Sequence, residues 1–143
     1  MNSYTSKKKP IFVVGYMHSG TTLLLNMLKR HPQVYSVETE TRFYELAESF
    51  KKQYPLLKGD VLKSFVQRIL HQIKSGGISP DADVSDVLDE GDVLAICESI
   101  EGQELSHEAV FGLVMDYLAV SSQKDFWLEK TPTHVYTIPA ILS

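Results

Sequence analysis

The sequence predicts an α/β protein in which a parallel sheet is flanked by helices, and three observations carry that expectation. The run Ile11 to Gly15 is apolar, rich in β-branched residues and preceded by Pro10, as a strand buried on both faces of a parallel sheet would be. A loop with Gly15, Ser19 and Gly20 follows, then "TTLLLNMLKRH", dense in Leu and Met and stopped by Pro32. Strand, glycine loop and helix in that order open an α/β unit. Near the far end, Phe126 to Leu128 read as a short strand running into a turn at Lys130 to Pro132.

Taken in order, residues 1–10 are a polar tail in which Lys7, Lys8 and Lys9 read as a solvated lead-in. Residues 11–45 form the loop unit, with "VYSV" as a second strand, the polar "ETETR", and a helix from Phe43 to about Gln53. Residues 51–124 are mainly helical. Asp60 is placed to cap a helix whose Val61, Leu62, Phe65, Val66, Ile69, Leu70 and Ile73 recur on one face. "SGGISPDAD" is a loop, and Val84–Leu88 and Val93–Ser99 are short helices. Ser106 starts a longer helix with Glu108 in its first turn. Residues 126–143 are a strand, a turn and a last helix, where Pro132 suits the first turn and Pro139 is expected to kink or end it. So few strands beside so many helices point to a single domain, 1–143, whose sheet is incomplete at its C-terminus. Exposed apolar surface is then expected at the strand edge or on the last helix.

Composition narrows the function classes. Over 143 residues the formal net charge is -4, so no whole-molecule basic field recruits nucleic acid or anionic lipid. Any anion must be held by a local site. The single cysteine, Cys97, excludes an internal disulfide and reads as a packed thiol. No stretch approaches the roughly 18 apolar residues of a membrane span, and no cleavage signature follows the start, so a cytoplasmic location is the default. The five histidines and one cysteine show no metal-ligand spacing.

The loop "GYMHSGTT" carries the chemistry. Its spacing from Gly15 to Gly20 is that of the phosphate loop G-x-x-x-x-G-K-[ST], with Thr21 in the lysine position and Thr22 in the Ser/Thr position. Successive N–H groups from Ser19 to Thr22 would face an anion at the positive end of the helix dipole, with the hydroxyls of Ser19, Thr21 and Thr22 beside them. The long cation that reaches a γ-phosphate is missing. Such a P-loop-like turn suits a phosphate bearing one further group, without an obligatory metal. The bland alternative is a tight strand-to-helix turn.

Three motifs in order resemble the sulfotransferase superfamily: "FVVGYMHSGTTLL", "MLKRHPQVYSVETETRFYE" and "WLEKTPTHV". The likeness is to the bacterial, heparan-type and tyrosylprotein-type enzymes. It implies a P-loop-like fold of the nucleoside-triphosphate-hydrolase type. It also implies 3'-phosphoadenosine 5'-phosphosulfate (PAPS) as donor, PAP as product, and in-line transfer of a sulfuryl group to a hydroxyl or amine. His18, Ser19, Gly20, Thr21, Thr22 and Lys130 would hold the donor.

Glu38, Glu40 and Glu45 all lie just past the first helix, and the match to "E-x-x-FF" selects Glu40 as general base, with Glu38 as the alternative. Lys130 would neutralise charge on the leaving oxygen. The bland alternative there is a surface neighbourhood of Lys130 and Glu129. His134 reads first as a helix-start or packing residue and second as a site residue.

His18 departs from the pattern, standing where the family presents lysine or arginine. An imidazolium could still reach the leaving phosphate, in which case activity falls as pH rises through the imidazole range and His18→Lys flattens the fall. The family's 3'-phosphate residues would follow Ser143. The acceptor, whether carbohydrate, tyrosine or small molecule, stays open. The competing classes are a nucleotide kinase or NTPase of the phosphate-loop type and a non-catalytic interaction module.

Overall fold

A computed structural model describes residues 7–75 and 89–142. The expected loop at Gly76, Gly77 and Pro80, the helix at Val84–Leu88 and the first residues of the tail lie outside the described residues. The elements run β1 (Lys9–Val13), α1 (Thr21–Leu28), β2 (Val34–Ser36), α2 (Phe43–Lys51), α3 (Gly59–Ser75), α4 (Glu90–Ser99), α5 (His107–Ser121), β3 (Phe126–Lys130), a 3₁₀ turn (Pro132–Thr137) and α6 (Ile138–Leu142).

The three strands are parallel in the order β1-β3-β2, so the last strand inserts between the first two. This corrects one expectation. β1 is an edge strand that is only partly buried, while β3 has Trp127, Leu128, Glu129 and Lys130 buried in succession. Pro10 is tolerated within β1 for the same reason. Lys9 donates its N–H to the Asp125 carbonyl at 3.3 Å, so the next residue faces the open side, where a missing N–H costs nothing.

Alternation along each strand divides the core into two layers. Val13, Val34 and Leu128 meet Leu25 of α1, with Ile11, Leu28 and Phe126 at the margin. Phe12, Tyr35 and Trp127 face the other way, into a larger cluster built from α2, α3, α4 and α5. Phe43 is its aromatic centre, stacked on Phe111 at 4.1 Å and edge-on to Phe65 at 6.3 Å. Helices therefore cover both faces of a small parallel sheet.

Local chemistry explains most boundaries. The Ser106 hydroxyl accepts from Ala109 N–H at 3.2 Å and starts α5 where the sequence placed it. Asp89 caps α4 through Gly91 N–H at 2.9 Å, which moves its start ahead of the expected Val93. Asp60 lies in the first turn of α3 rather than before it. Pro139 sits in the first turn of α6, so it begins that helix instead of breaking it. Leu142 of α6 is 80% exposed. Among the described residues, no helix is long and apolar enough to cross a membrane.

Candidate functional site

Because all three strands run the same way, the segments leaving β1, β2 and β3 meet at one edge of the sheet, the carboxyl edge where α/β folds place ligands. The segment after β1 is the glycine loop. Gly15 N–H donates to the Pro132 carbonyl at 3.2 Å, which ties the loop's start to the turn after β3. A Cβ on Gly15 would stand 2.8 Å from Ser19 Oγ and 3.1 Å from Thr21 Cγ2, so a larger residue would have to displace the Ser19 hydroxyl. His18 and Gly20 both take left-handed backbone, at φ 63 and 88. Gly20 is the N-cap of α1, and no side chain caps that helix. Its first N–H groups are left facing outward, as helix starts leave them.

A cavity of about 400 Å³ opens there, lined by His18, Gly20, Thr21, Thr22, Glu40 and Lys130, with Met17 and Pro132 at its apolar margin. Residues distant in sequence are thus brought together. Ser19 is the exception. Its hydroxyl turns back to donate to the Tyr16 carbonyl at 2.6 Å, where it braces the loop and does not line the cavity.

The three glutamates separate by position. Glu40 lines the cavity and accepts from Lys130 Nζ at 3.0 Å, with Arg42 Nε 3.8 Å from its other oxygen. Glu38 is turned to solvent and paired with Lys29 at 2.9 Å. Glu45 accepts from the Thr133 hydroxyl at 2.8 Å. Lys130 is 10% exposed in its side chain, so its stem is packed while its ammonium reaches the cavity.

The residue that sequence reasoning missed is Glu129. A surface pairing with Lys130 is not what the strand allows, because neighbours in a strand point to opposite faces. Lys130 follows Leu128 toward the α1 side, and Glu129 follows Trp127 inward. Glu129 is wholly buried. One of its oxygens accepts from the Thr41 hydroxyl at 2.8 Å and the Thr131 hydroxyl at 2.5 Å, with Thr41 N–H at 3.4 Å. The other stands 3.1 Å from His134 Nδ1. His134 is buried too, and Tyr44 N–H donates to its Nε2 at 3.5 Å. The Tyr44 ring packs edge-on against that imidazole at 4.9 Å. Burial, followed by the charges of Glu108 and Glu129, pushes the Tyr44 phenol up to about 12, so it stays protonated.

Among the described residues, no group of three or more His, Cys, Asp or Glu is gathered as a metal site would be. The arrangement is that of an α/β protein with a helix start that no side chain caps, and with a lysine and a glutamate lining the same cavity. A sulfotransferase family model matches residues 10–143, and the chain belongs to that family. No curated protein and no solved structure matches it.

Proposed function

We propose that this chain moves a sulfuryl group from PAPS to a hydroxyl or amine acceptor, in line and on a P-loop-like scaffold. The observation that carries the reading is the shared cavity. Gly20, Thr21 and Thr22 at the start of α1 line one space of about 400 Å³ with Glu40 and Lys130 at the carboxyl edge of the sheet. That space and those donors fit the phosphosulfate end of the nucleotide.

In this reading the residues divide the work. Gly20, Thr21 and Thr22 hold the phosphosulfate oxygens at the positive end of α1. Glu40 takes the acceptor's proton as its oxygen or nitrogen bonds to sulfur. As the bond from sulfur to the bridging oxygen breaks, Lys130 balances the charge that collects on the leaving 5'-phosphate. His18, exposed at the cavity's rim, adds a donor to the same phosphate. Glu40 is preferred over Glu38 because it shares the cavity with Lys130, while Glu38 is spent on Lys29.

Calorimetry with PAP in the absence of metal, against ATP with magnesium, tests the donor. PAP binding that needs no magnesium is expected, and preference for ATP–magnesium would replace this reading with a phosphate-loop kinase or NTPase. Incubation with ³⁵S-labelled PAPS and separate carbohydrate, tyrosine-peptide and phenol acceptors then identifies the acceptor class.

A further inference from the structure

Resting on that reading, we propose that Glu129 is the positioning residue that holds Glu40 and Lys130 in register. A fully buried carboxylate is costly unless its lone pairs are met by donors, and here they are met by groups with a particular address. Thr41 is the chain neighbour of Glu40, and Thr131 is the chain neighbour of Lys130. One oxygen of Glu129 gathers both hydroxyls. Each threonine then acts a second time. Thr41 Oγ1 accepts from Phe43 N–H at 3.3 Å and so starts α2, while Thr131 Oγ1 accepts from Arg42 N–H at 3.2 Å.

The residues that follow Glu40 are therefore bound to the end of β3 that carries Lys130, Thr41 through the Glu129 carboxylate and Arg42 through the Thr131 hydroxyl. Arg42 is held at φ 47, a left-handed backbone that a non-glycine residue keeps only when its surroundings enforce it. The second carboxylate oxygen fixes His134. It stands 3.1 Å from Nδ1, where a ring N–H is the donor that a carboxylate oxygen takes, while Nε2 lies 3.5 Å from both Tyr44 N and a Glu45 oxygen. The 3.0 Å contact of Lys130 with Glu40 is the outcome of this frame.

The test substitutes Glu129→Gln and reads three quantities. Two-bond ¹H–¹⁵N couplings report which nitrogen of His134 carries its proton. The amide of the variant donates to Nδ1, so Nδ1 is expected to lose its proton. Acetylation of Lys130 by an N-hydroxysuccinimide ester, located by mass spectrometry, should quicken about tenfold as the ammonium loses its ordered partner. Release of PAP from PAPS, with water as acceptor, should fall about tenfold in kcat while PAP affinity holds within about threefold.

Asp116→Asn serves as the control for losing a buried carboxylate away from the cavity. Asp116 accepts from the Trp127 indole at 3.0 Å, and its loss should leave Lys130 acetylation unchanged. If Glu129→Gln does not fold, Thr131→Val against Thr131→Ser carries the same comparison, with the serine expected to restore slow acetylation. An unmoved His134 proton, or Lys130 acetylated no faster than in the parent, overturns the assignment. So does a parallel loss of kcat, PAP affinity and melting temperature. A parent chain that neither binds PAP nor releases it removes the proposed function instead. The tautomer and acetylation results would still decide the role of Glu129.

Discussion

Replacing Lys130 by methionine separates chemistry from stability. The side chain is 10% exposed, and methionine keeps its unbranched stem in the same packing. What is lost is the pairing with Glu40, whose side chain is 34% exposed and can be taken over by water. Such a pair contributes about 0–1 kcal/mol, and for a chain of this size about 1 kcal/mol is roughly 3–4 °C of melting temperature. The same ammonium, aimed at the oxygen where charge collects during transfer, is worth about 3–4 kcal/mol, or roughly 10²–10³ in turnover. Lys130→Met should therefore lose at least about a hundredfold in PAP release from PAPS with a barely altered melting curve. Lys130→Arg should fall between the two, since a planar guanidinium does not occupy the same point. Turnover retained within about fivefold would refute the role, and so would a loss of turnover tracked by a drop of about 10 °C or more.

Gly15→Ala should push Ser19 off the Tyr16 carbonyl, cost about 1–3 kcal/mol, and weaken PAP binding by calorimetry. Gly20→Ala meets no atom within 4 Å but must hold φ 88, at a cost of about 1–2 kcal/mol that Gly20→Asn should partly recover in the melting temperature. His18→Asn keeps a residue suited to left-handed backbone while removing the imidazole, so PAP affinity is expected to fall about threefold to tenfold with stability unchanged. His107 is wholly buried, with both ring nitrogens lacking a hydrogen-bond partner among the described residues, and its pKa is lowered first by burial and then by Lys51, against the opposing charge of Glu108. The unfolded chain then takes up the proton more readily, so stability falls as pH drops below the ordinary imidazole range. Thermal melts from pH 7.5 to 5 should show that decline, flattened in His107→Phe, whose ring can keep the edge contact with Phe65.

Much of the fold was legible because the local signals agree with the packing. The alternation that sends Phe12 and Trp127 to one face and Val13 and Leu128 to the other is present in the strand sequences themselves. Ser106 and the apolar face of α3 mark their helices for equally local reasons. The strand order was not legible. Whether β1 is central or at an edge depends on β3 arriving more than a hundred residues later and inserting beside it, and no window of sequence records that step. The early start of α4 was missed for a smaller reason. Asp89 is a good cap followed by Glu90 and Gly91, and the weak helix propensity of glycine obscured it.

The site divides in the same way, and the division is informative about how it works. The loop was singled out by its glycine spacing, and Glu40 and Lys130 by the family motifs that their segments resemble. Glu129 was passed over because a Lys beside a Glu reads as a solvated pair. Yet the strand period alone could have corrected this: in a central strand the two must face opposite layers, so Glu129 needed donors of its own. The donors are Thr41, inside a polar run that reads as surface, and Thr131, which reads as part of a turn. The groups proposed to do chemistry lie at chain positions where a motif exposes them. The groups that aim them are ordinary threonines and a histidine, made consequential only by folding around one buried charge.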